Sequence, residues 1–358
     1  MNTLQELKAL GGVPDSQYGP AGMAEHHPLP DPFDAQRLAK VSGNHADLCK
    51  AFRAYMFGNS QRVSDYQDIL NAKRFPMQVA LFTGNNLTVS PGKPLIVEDK
   101  EGHGNPVVLV YSTITVEPGG QIIYRTNGTV KAQNMNVQGS SGNSAIVNQG
   151  GDGGHGASGS SGRNGGNGWH GSSGQDNKNS CASGASSGSN GAPGSDGGHG
   201  GDGSKGGNGN DVNIVVEELS GNVIARSIGG QGGDGGSGRN GGNGGYGGSG
   251  GASTSQCAAG DGGNGGKGGN GGNGGDGGQG GNGGNVYITY ESGTPALNAS
   301  AVGGTGGRGG EAGAGGSGGA GGAGRTKGNY GTTGKQGTPG KAGAAGLVGK
   351  VFVNGRPQ

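Results

Sequence analysis

The sequence predicts a small α-helical N-terminal segment plus a β-strand domain, followed by a bundle of about six antiparallel polyglycine II helices with short β-strand pairs capping one end. Three observations support this fold class. Glycine accounts for 96 of the 358 residues and lies mostly beyond residue 148. There it keeps a three-residue register. The residues before it show hydrophobic patterns of helical period and then of strand period.

The composition excludes several classes of protein. Apolar residues make up 28% of the chain and aromatic residues 4%, which is too little to fill the cores of an enzyme of this length. The formal net charge of +1 argues against binding to nucleic acid or to an anionic membrane surface. No apolar run approaches the roughly 18 residues of a transmembrane helix.

The start of the chain bears on where the protein acts. The first residues, MNTLQELKALGG, lack the basic and apolar regions of a Sec signal peptide. We therefore expect an extracellular or virion-associated protein that is released by lysis or by an export route other than Sec.

The N-terminal region divides into two parts. Residues 1–33 are rich in Pro, Gly and His and are predicted to be extended or loosely ordered. Residues 34–76 are predicted to be helical, because Asp34, Asn44 and Ser64 each stand where they can cap the start of a helix. Apolar residues follow each of them at helical spacing.

Residues 77–148 have the two-residue hydrophobic period of β-strands. Two stretches, LTVSPGKPLIV from Leu87 and ITVEPGGQIIY from Ile114, repeat at a shift of 27 residues. Each predicts a strand, a Pro-Gly turn and a second strand. The repeat indicates a small β-domain, or a few rungs of a β-helix that template the glycine-rich part.

Residues 149–351 form the glycine-rich part, and their glycines keep the triplet register. From Gly229 the sequence reads GGQ GGD GGS GRN GGN GGY GGS GGA without a slip. A flexible linker has no reason to keep register, so the pattern indicates an ordered structure. Six stretches share it, called segments 1 to 6 below: residues 150–173, 188–208, 229–252, 262–285, 303–326 and 328–351.

A longer repeat arranges these segments in pairs. The residues from Asn210 align without gaps with those from Gly284, at a shift of 74. The aligned stretches contain the predicted strand crossovers 211–228 and 286–302, and a C-terminal strand or tail follows at 352–358. One unit therefore recurs: a strand pair, an outgoing segment, a loop and a returning segment.

A repeat of three residues matches the polyproline II helix, which has no internal hydrogen bonds and must pair its N–H and C=O groups with neighbours. A GGX helix has two faces without side chains, whereas a GXY helix has one. Segments 3 and 4 are therefore predicted to be central, and segment 6 to lie at an edge. GGX triplets with few prolines argue against a collagen trimer.

The triplet pattern resembles two families with polyglycine II bundles: the snow flea antifreeze protein and the distal tail-fibre adhesins of T-even-like bacteriophages. The resemblance covers residues 149–349 and rests on the GGX register more than on residue identity. In the phage adhesins, glycine-rich triplet segments alternate with variable loops. Neither resemblance assigns a role to an individual residue of this chain.

The three cysteines are Cys49, Cys181 and Cys257. They form no CxxC pair and no disulfide framework of the small secreted type. Cys181 and Cys257 occupy equivalent places in successive units, in the breaks 175–187 and 253–261. The sequence does not fix the redox compartment, so two alternatives remain: a disulfide between Cys181 and Cys257, or two separate thiols. Cys49 is predicted to be a helical core or surface thiol.

Aromatic residues are rare in the segments, and the alternation of outgoing and returning segments gathers them at the end far from the strands. Trp169 and His170 lie late in segment 1, Tyr246 lies late in segment 3, and Tyr330 begins segment 6. Two interpretations are open: the rings fill gaps at the end of the bundle, or they form a recognition tip with the two breaks named above. We adopt the second.

No pattern in the sequence predicts an enzyme. Glycine is so frequent that matches to GxGxxG carry no information. The histidines lack metal-ligand spacing, and helices that face water form no preorganised pocket. We therefore expect no catalytic residues, no metal and no cofactor.

The sequence favours a non-enzymatic recognition protein, an adhesin of phage tail-tip type whose tip contacts a cell-surface receptor, either an outer-membrane protein or a glycan. The N-terminal half would attach to a fibre or particle. The alternative is a released bacterial protein that acts as a toxin component or as a surface or matrix structural protein. Ice binding is disfavoured, because it requires a regular Thr/Ala face and only residues 315–323 resemble one.

Overall fold

The computed structural model describes residues 1–17, 29–98, 106–138 and 145–358. Its helices lie in the N-terminal region and pack around a small apolar core that includes Leu38, Leu48 and Leu70. Within the described residues, the helices are α1 (Leu4–Gly11), α2 (Ala35–Ala39), α3 (Ala46–Phe57) and α4 (Gln67–Arg74), with 3-10 turns at Asp15–Gln17 and Ser60–Tyr66.

The prediction that residues 1–33 are extended is wrong at its start. Thr3 accepts a hydrogen bond from the Glu6 N–H at 3.2 Å and caps α1. Leu4 and Leu7 of this helix are buried, because they complete the core that α3 and α4 would otherwise leave open. Residues 18–28, which include the His26-His27 pair, lie outside the described residues.

The strands form one large, almost wholly parallel sheet and one small hairpin. The described strands are β1 (Ala80–Val89), β2 (Leu95–Val97), β3 (Val107–Val116), β4 (Ile122–Tyr124), β5 (Gly128–Val137), β6 (Ile146–Gln149), β7 (Gln175–Asp176), β8 (Cys181–Ser183), β9 (Val212–Ile228), β10 (Val286–Ser292), β11 (Ala296–Val302), β12 (Val351–Val353) and β13 (Arg356–Pro357).

The large sheet is wound from successive rungs. Row A contains β1, β3, β5, the first half of β9, β10 and β12, and row B contains β2, β4, β6, the second half of β9 and β11. The 27-residue repeat predicted from the sequence is the pairing of β1 with β3 and of β2 with β4. Gly92 and Gly119 have positive φ and occupy equivalent turns between the rows.

The two rows enclose the main core. Alternate side chains of each strand point inward, among them Ile114, Tyr124, Ile146, Ile214 and Ile288, and all five are fully buried. The helices pack on the outer side of row A, where the Phe57 ring stacks on Tyr287 with centroids 4.7 Å apart. The burial of apolar side chains by the two rows supplies the hydrophobic stabilisation that the glycine-rich part lacks.

Each pair of glycine segments is a long connection between two strands of the large sheet. Segments 1 and 2 connect β6 to β9, segments 3 and 4 connect β9 to β10, and segments 5 and 6 connect β11 to β12. The outgoing segments 1, 3 and 5 continue row B and form one layer, and the returning segments 2, 4 and 6 continue row A and form a second layer. The Gly150 N–H, for example, donates to Ile228 O at 2.9 Å and extends the β6–β9 ladder.

The strand register passes unchanged into the layers. The offset of 79 residues between β6 and β9 recurs between segments 1 and 3, and the offset of 74 between β9 and β11 recurs between segments 3 and 5. Segments 3 and 4 each form hydrogen bonds with four other segments, whereas segment 6 does so with two. The core rungs therefore set the alignment of the whole glycine-rich part.

The predicted fold class is wrong. The regular structure is a large parallel sheet that closes nearly into a barrel, with few helices, and no antiparallel polyglycine II bundle is indicated. Segments within one layer run parallel, because the outgoing segments all leave row B strands and the returning segments all enter row A strands. The stretch 211–228 is the inner strand β9, and 286–302 contains the inner strand β10 and the edge strand β11 of the same sheet, so these stretches do not cap a bundle.

The glycines are required where segments meet. An ideal Cβ built on Gly266 would lie 2.0 Å from Ala192 O, but one built on Gly166 at the outer edge of segment 1 would meet nothing within 4 Å. Because main-chain atoms cannot move aside, a side chain at the first position would separate the segments.

We predict that Gly266→Ala lowers the free energy of unfolding by about 3 kcal/mol or more, because its methyl group would overpack the contact with segment 2. The matched change Gly166→Ala should shift it by less than about 1 kcal/mol, in the stabilising direction, because it restricts the unfolded chain and meets no neighbour. Urea denaturation of the two variants measures both values. Equal shifts would contradict the assignment of contact faces.

Candidate functional site

The end of the glycine segments far from the strands contains three turns. Segments 1 and 2 are joined through the hairpin β7–β8, which the Asn177 N–H closes by donating to Ser180 O at 2.7 Å. Residues 253–261 join segments 3 and 4, and the turn at residues 324–327, which includes the last triplet of segment 5, leads into segment 6. We call these three turns, together with up to three triplets of each segment that adjoin them, the distal tip.

A disulfide ties the first two turns together. Cys181 and Cys257 are joined, with Cα atoms 4.9 Å apart, so the structure selects the first of the two alternatives that the sequence left open. The Asp176 carboxylate adds a second tie, since it accepts hydrogen bonds from the Thr254 hydroxyl and from the Gln256 N–H. The exposed hairpin is thereby fixed to its neighbour.

An ion pair ties the second turn to the third. The Arg325 guanidinium donates two hydrogen bonds to the Asp261 carboxylate at 3.0 and 3.1 Å, and the Thr326 N–H donates a third at 3.0 Å. The Arg325 hydrogen bond, followed by that from Thr326, lowers the pKa of Asp261. Sequence reasoning missed Asp176 and Asp261, because an acidic residue beside a glycine turn has no distinctive pattern.

The structure brings three of the four predicted tip residues together. Trp169 and His170 lie on segment 1, and Tyr246 lies on the adjacent segment 3, where the Gly168 N–H donates to Tyr246 O at 2.7 Å. The Trp169 side chain is 83% exposed and that of Tyr246 62%. Two large aromatic groups thus project into solvent from neighbouring segments.

Tyr330 is separated from this group. It is 67% exposed and lies on segment 6, which forms hydrogen bonds with segments 4 and 5 but not with segments 1 or 3. The Lys327 ammonium lies 5.3 Å from its ring centroid, a distance typical of a cation–π contact. Tyr330 therefore belongs to the opposite lateral edge of the tip.

The polar third residues of the triplets have a structural role. The Gln231 N–H donates to Asp152 Oδ1 at 2.8 Å, and the Arg308 N–H donates to Asp234 Oδ1 at 2.7 Å. The same arrangement recurs along both layers, where a short side chain accepts the N–H of the equivalent residue on the next segment. We call these rows side-chain ladders.

The ladders explain the choice of residue. Asn, Asp and neutral His can each accept a main-chain N–H. They fill most third positions of segments 1, 2 and 4 and three of the eight in segment 3, but none in segment 5, beyond which no further segment lies in the described chain. His170 is one of them, since its Nδ1 accepts the Ser249 N–H at 3.0 Å. The Nδ1 atom of His170 is therefore already used in a structural hydrogen bond, which competes with the contact that we predicted between His170 and a receptor.

A cavity lies between α3 and row A, away from the distal tip. It has a volume of about 210 Å³ and is lined by Phe52, Met56 and Val108 together with an Arg53–Asp211 ion pair of 3.1 Å. Burial raises the pKa of Asp211, and the Arg53 charge opposes that effect. Because Arg53 and Asp211 pair with each other, we assign them a structural role in the packing of the helices on the sheet.

Within the described residues, no group of three or more His, Cys, Asp or Glu side chains is placed to hold a metal ion. None of the described helices is long and apolar enough to cross a membrane.

No protein-family model matches the chain, and no curated protein matches it. Among solved structures, it is similar to the springtail antifreeze protein from Granisotoma rainieri, a bundle of nine polyproline type II helices. The identity is 28%, over 48% of this chain and 93% of that one, with a TM-score of 0.08. A score this low supports no structural argument, and the comparisons contain nothing that supports the resemblance to phage adhesins.

We predict that reduction of the Cys181–Cys257 disulfide destabilises the tip. The pair Cys181→Ser with Cys257→Ser should lower the free energy of unfolding by about 2–4 kcal/mol, and dithiothreitol should shift the melting temperature of the native protein but not of this variant. Cys49→Ser is the control, because Cys49 is a free exposed cysteine and its removal should leave the effect of the reductant intact.

The side-chain ladders give a second prediction. Asn240→Ala removes the acceptor of the Ala314 N–H, now 2.9 Å from Asn240 Oδ1, and should cost about 1 kcal/mol of unfolding free energy. Asn240→Asp should keep most of it, since the carboxylate also accepts. Glu311→Ala changes the same triplet position in segment 5, where no ladder bond is present, and a comparable loss there would show that the ladder contributes little.

Proposed function

We propose that this is a non-enzymatic recognition protein of adhesin type, in which the distal tip contacts a cell-surface receptor, either an outer-membrane protein or a glycan. The observation that carries the proposal is the exposure of Trp169 and Tyr246 on adjacent segments. Aromatic side chains give a large contact area at low entropic cost and dominate binding hot spots.

The rigidity of the tip supports this role. Its three turns are tied by the disulfide, by Asp176 and by the Asp261–Arg325 ion pair. A surface held in its bound geometry loses less entropy on association than a flexible loop. The exposed β7–β8 hairpin adds polar groups to the same tip.

The contrast between the tip and the layers is a further support. Along segments 1 to 4, the Asn, Asp and His side chains at third positions accept main-chain N–H groups in a repeating pattern. Such a surface offers little to distinguish one partner from another. The tip contains the irregular turns and the exposed rings, which is where specificity can arise.

The remaining parts of the proposal concern attachment and location. We propose that the helices and the first rungs attach the protein to a fibre or particle, and that it acts outside the cell or on a virion after release by lysis or non-Sec export. The Cys181–Cys257 disulfide is of the kind that persists in oxidising surroundings.

We predict that Trp169→Ala with Tyr246→Ala abolishes binding to the target while leaving the melting temperature nearly unchanged, because hot-spot aromatics contribute about 2 kcal/mol or more each and both rings are exposed. Binding of the full-length protein to bacterial outer-membrane vesicles and to a glycan array measures the effect.

The control variant is Leu347→Ala with Val348→Ala, which removes two side chains that are 71% and 73% exposed near the strand end of segment 6. It should bind as the native protein does. Unaltered binding of the Trp169 and Tyr246 variant would move the site away from the tip. A large fall in its melting temperature would instead mean that these rings seal the end of the layers.

A further inference from the structure

One lateral edge of the layers presents a row of free main-chain donors. Inside a layer, the first glycine of each triplet donates to the third-residue carbonyl of the next segment, as Gly232 does to Thr305 O and Gly235 to Arg308 O, both at 2.8 Å. In segment 5 the equivalent N–H groups have no acceptor among the described residues; they belong to Gly303, Gly306, Gly309, Gly315, Gly318 and Gly321.

This free edge continues past the segment into the sheet. β11 leads directly into segment 5 and pairs only with β9 in the described structure. No row B strand follows it, because β12 belongs to row A and is covered by the antiparallel β13. The unpaired edge therefore runs from Ala296 to Gly321, and unpaired edges favour the addition of another chain.

Exposed apolar side chains border the same edge. Val302 is 43% exposed at the end of β11, and Val348 is 73% exposed on segment 6, which lies beside segment 5. Tyr330, at the other end of segment 6, is 67% exposed. Large apolar groups collected beside unpaired donors mark an interaction surface.

The edge presents hydrogen-bond donors, which argues against a second copy of the protein as the binding partner. Segment 5 presents donors alone, so two such edges placed face to face would oppose N–H to N–H. The complementary carbonyl edge, on segment 1, carries the exposed side chains of Arg163 and Trp169, which obstruct a flat approach. The partner must therefore be another chain with free carbonyl groups.

We propose that the outer edge of segment 5 binds an extended polypeptide of a second protein, which runs parallel to residues 303–321 and offers a carbonyl group to each free glycine N–H. In this contact, segment 5 has the donor role that segment 3 has in its own pairing with segment 5. The partner has small residues where it contacts segment 6, in the same way that glycines line the contact between segments 3 and 4.

The side chains along the edge agree with an uncharged partner. From residue 312 to 323, segment 5 contains only Gly, Ala and Ser. The third residues of segment 6 beside it include Thr333, Gln336, Ala342 and Ala345, none of them charged. A glycine-rich peptide with small neutral residues fits this surface, because the two charged side chains within residues 303–321, Arg308 and Glu311, are of opposite sign and give the edge no net charge.

Amide hydrogen exchange of the full-length protein tests the free edge. The amides of Gly306, Gly309 and Gly318 should exchange at least tenfold faster than those of Gly232 and Gly235, because only the latter have acceptors. Equal protection of both sets in the free protein would overturn the proposal, since the edge would then already be occupied.

A synthetic peptide with the sequence of residues 229–252 is the probe for binding. It should bind saturably and slow exchange at the edge amides at least tenfold, whereas a peptide of the same composition without the triplet register should not. Ala342→Arg with Ala345→Arg should weaken binding at least tenfold by filling the edge with two long side chains. Ala157→Arg, an exposed position on segment 1, should leave binding unchanged.

Three results of the binding experiment would also overturn the proposal. Equal binding of the peptide without register would show that no triplet contact forms. Unchanged binding to the Ala342 and Ala345 variant would place the site elsewhere. Self-association of the native protein that the same variant abolishes would make the occupant a second copy. The receptor proposal for the tip is independent of all three, because these variants leave Trp169 and Tyr246 intact.

Discussion

The structure depends on one constraint: a chain that packs without side chains at its contacts must pair its main-chain groups with those of its neighbours. In the glycine segments this pairing takes the place of a hydrophobic core. The first glycine of a triplet donates within its layer, the second donates to the facing layer, and the third residue donates to a side chain, as at Gly232, Gly233 and Asp234. Little room remains for any residue larger than glycine at the first two positions.

The apolar rungs solve the alignment problem that this constraint creates. Identical GGX triplets can slide past one another by three residues without loss of hydrogen bonds, so the segments cannot set their own register. The strands can, because inward residues such as Ile214 and Ile288 must meet in the core. The offsets fixed there are carried along the segments to the distal tip, where the Cys181–Cys257 disulfide closes the other end.

The same constraint determines which parts of the surface are available for binding. The Asn, Asp and His side chains at the third positions of segments 1 to 4 are engaged in the ladders, and the outermost segments hold the residues that tolerate an unpaired N–H. Both prolines within the segments, Pro193 and Pro339, lie at third positions of segments 2 and 6, where the described structure offers no acceptor for an N–H. The tip with its exposed rings and the donor edge of segment 5 are among the parts that remain accessible.

The sequence by itself determined that the glycine-rich part is ordered, where its segments begin and end, and that Cys181 and Cys257 occupy equivalent places, because these follow from periods that one chain displays. It did not determine how the segments are joined to the strands. Only the tertiary structure decided that 211–228 is an inner strand and that neighbours in a layer run parallel, because a triplet period is the same for either direction. The ladder role of residues such as Asp152 also required the structure, since an exposed polar side chain shows its partner only when the neighbouring segment is in place.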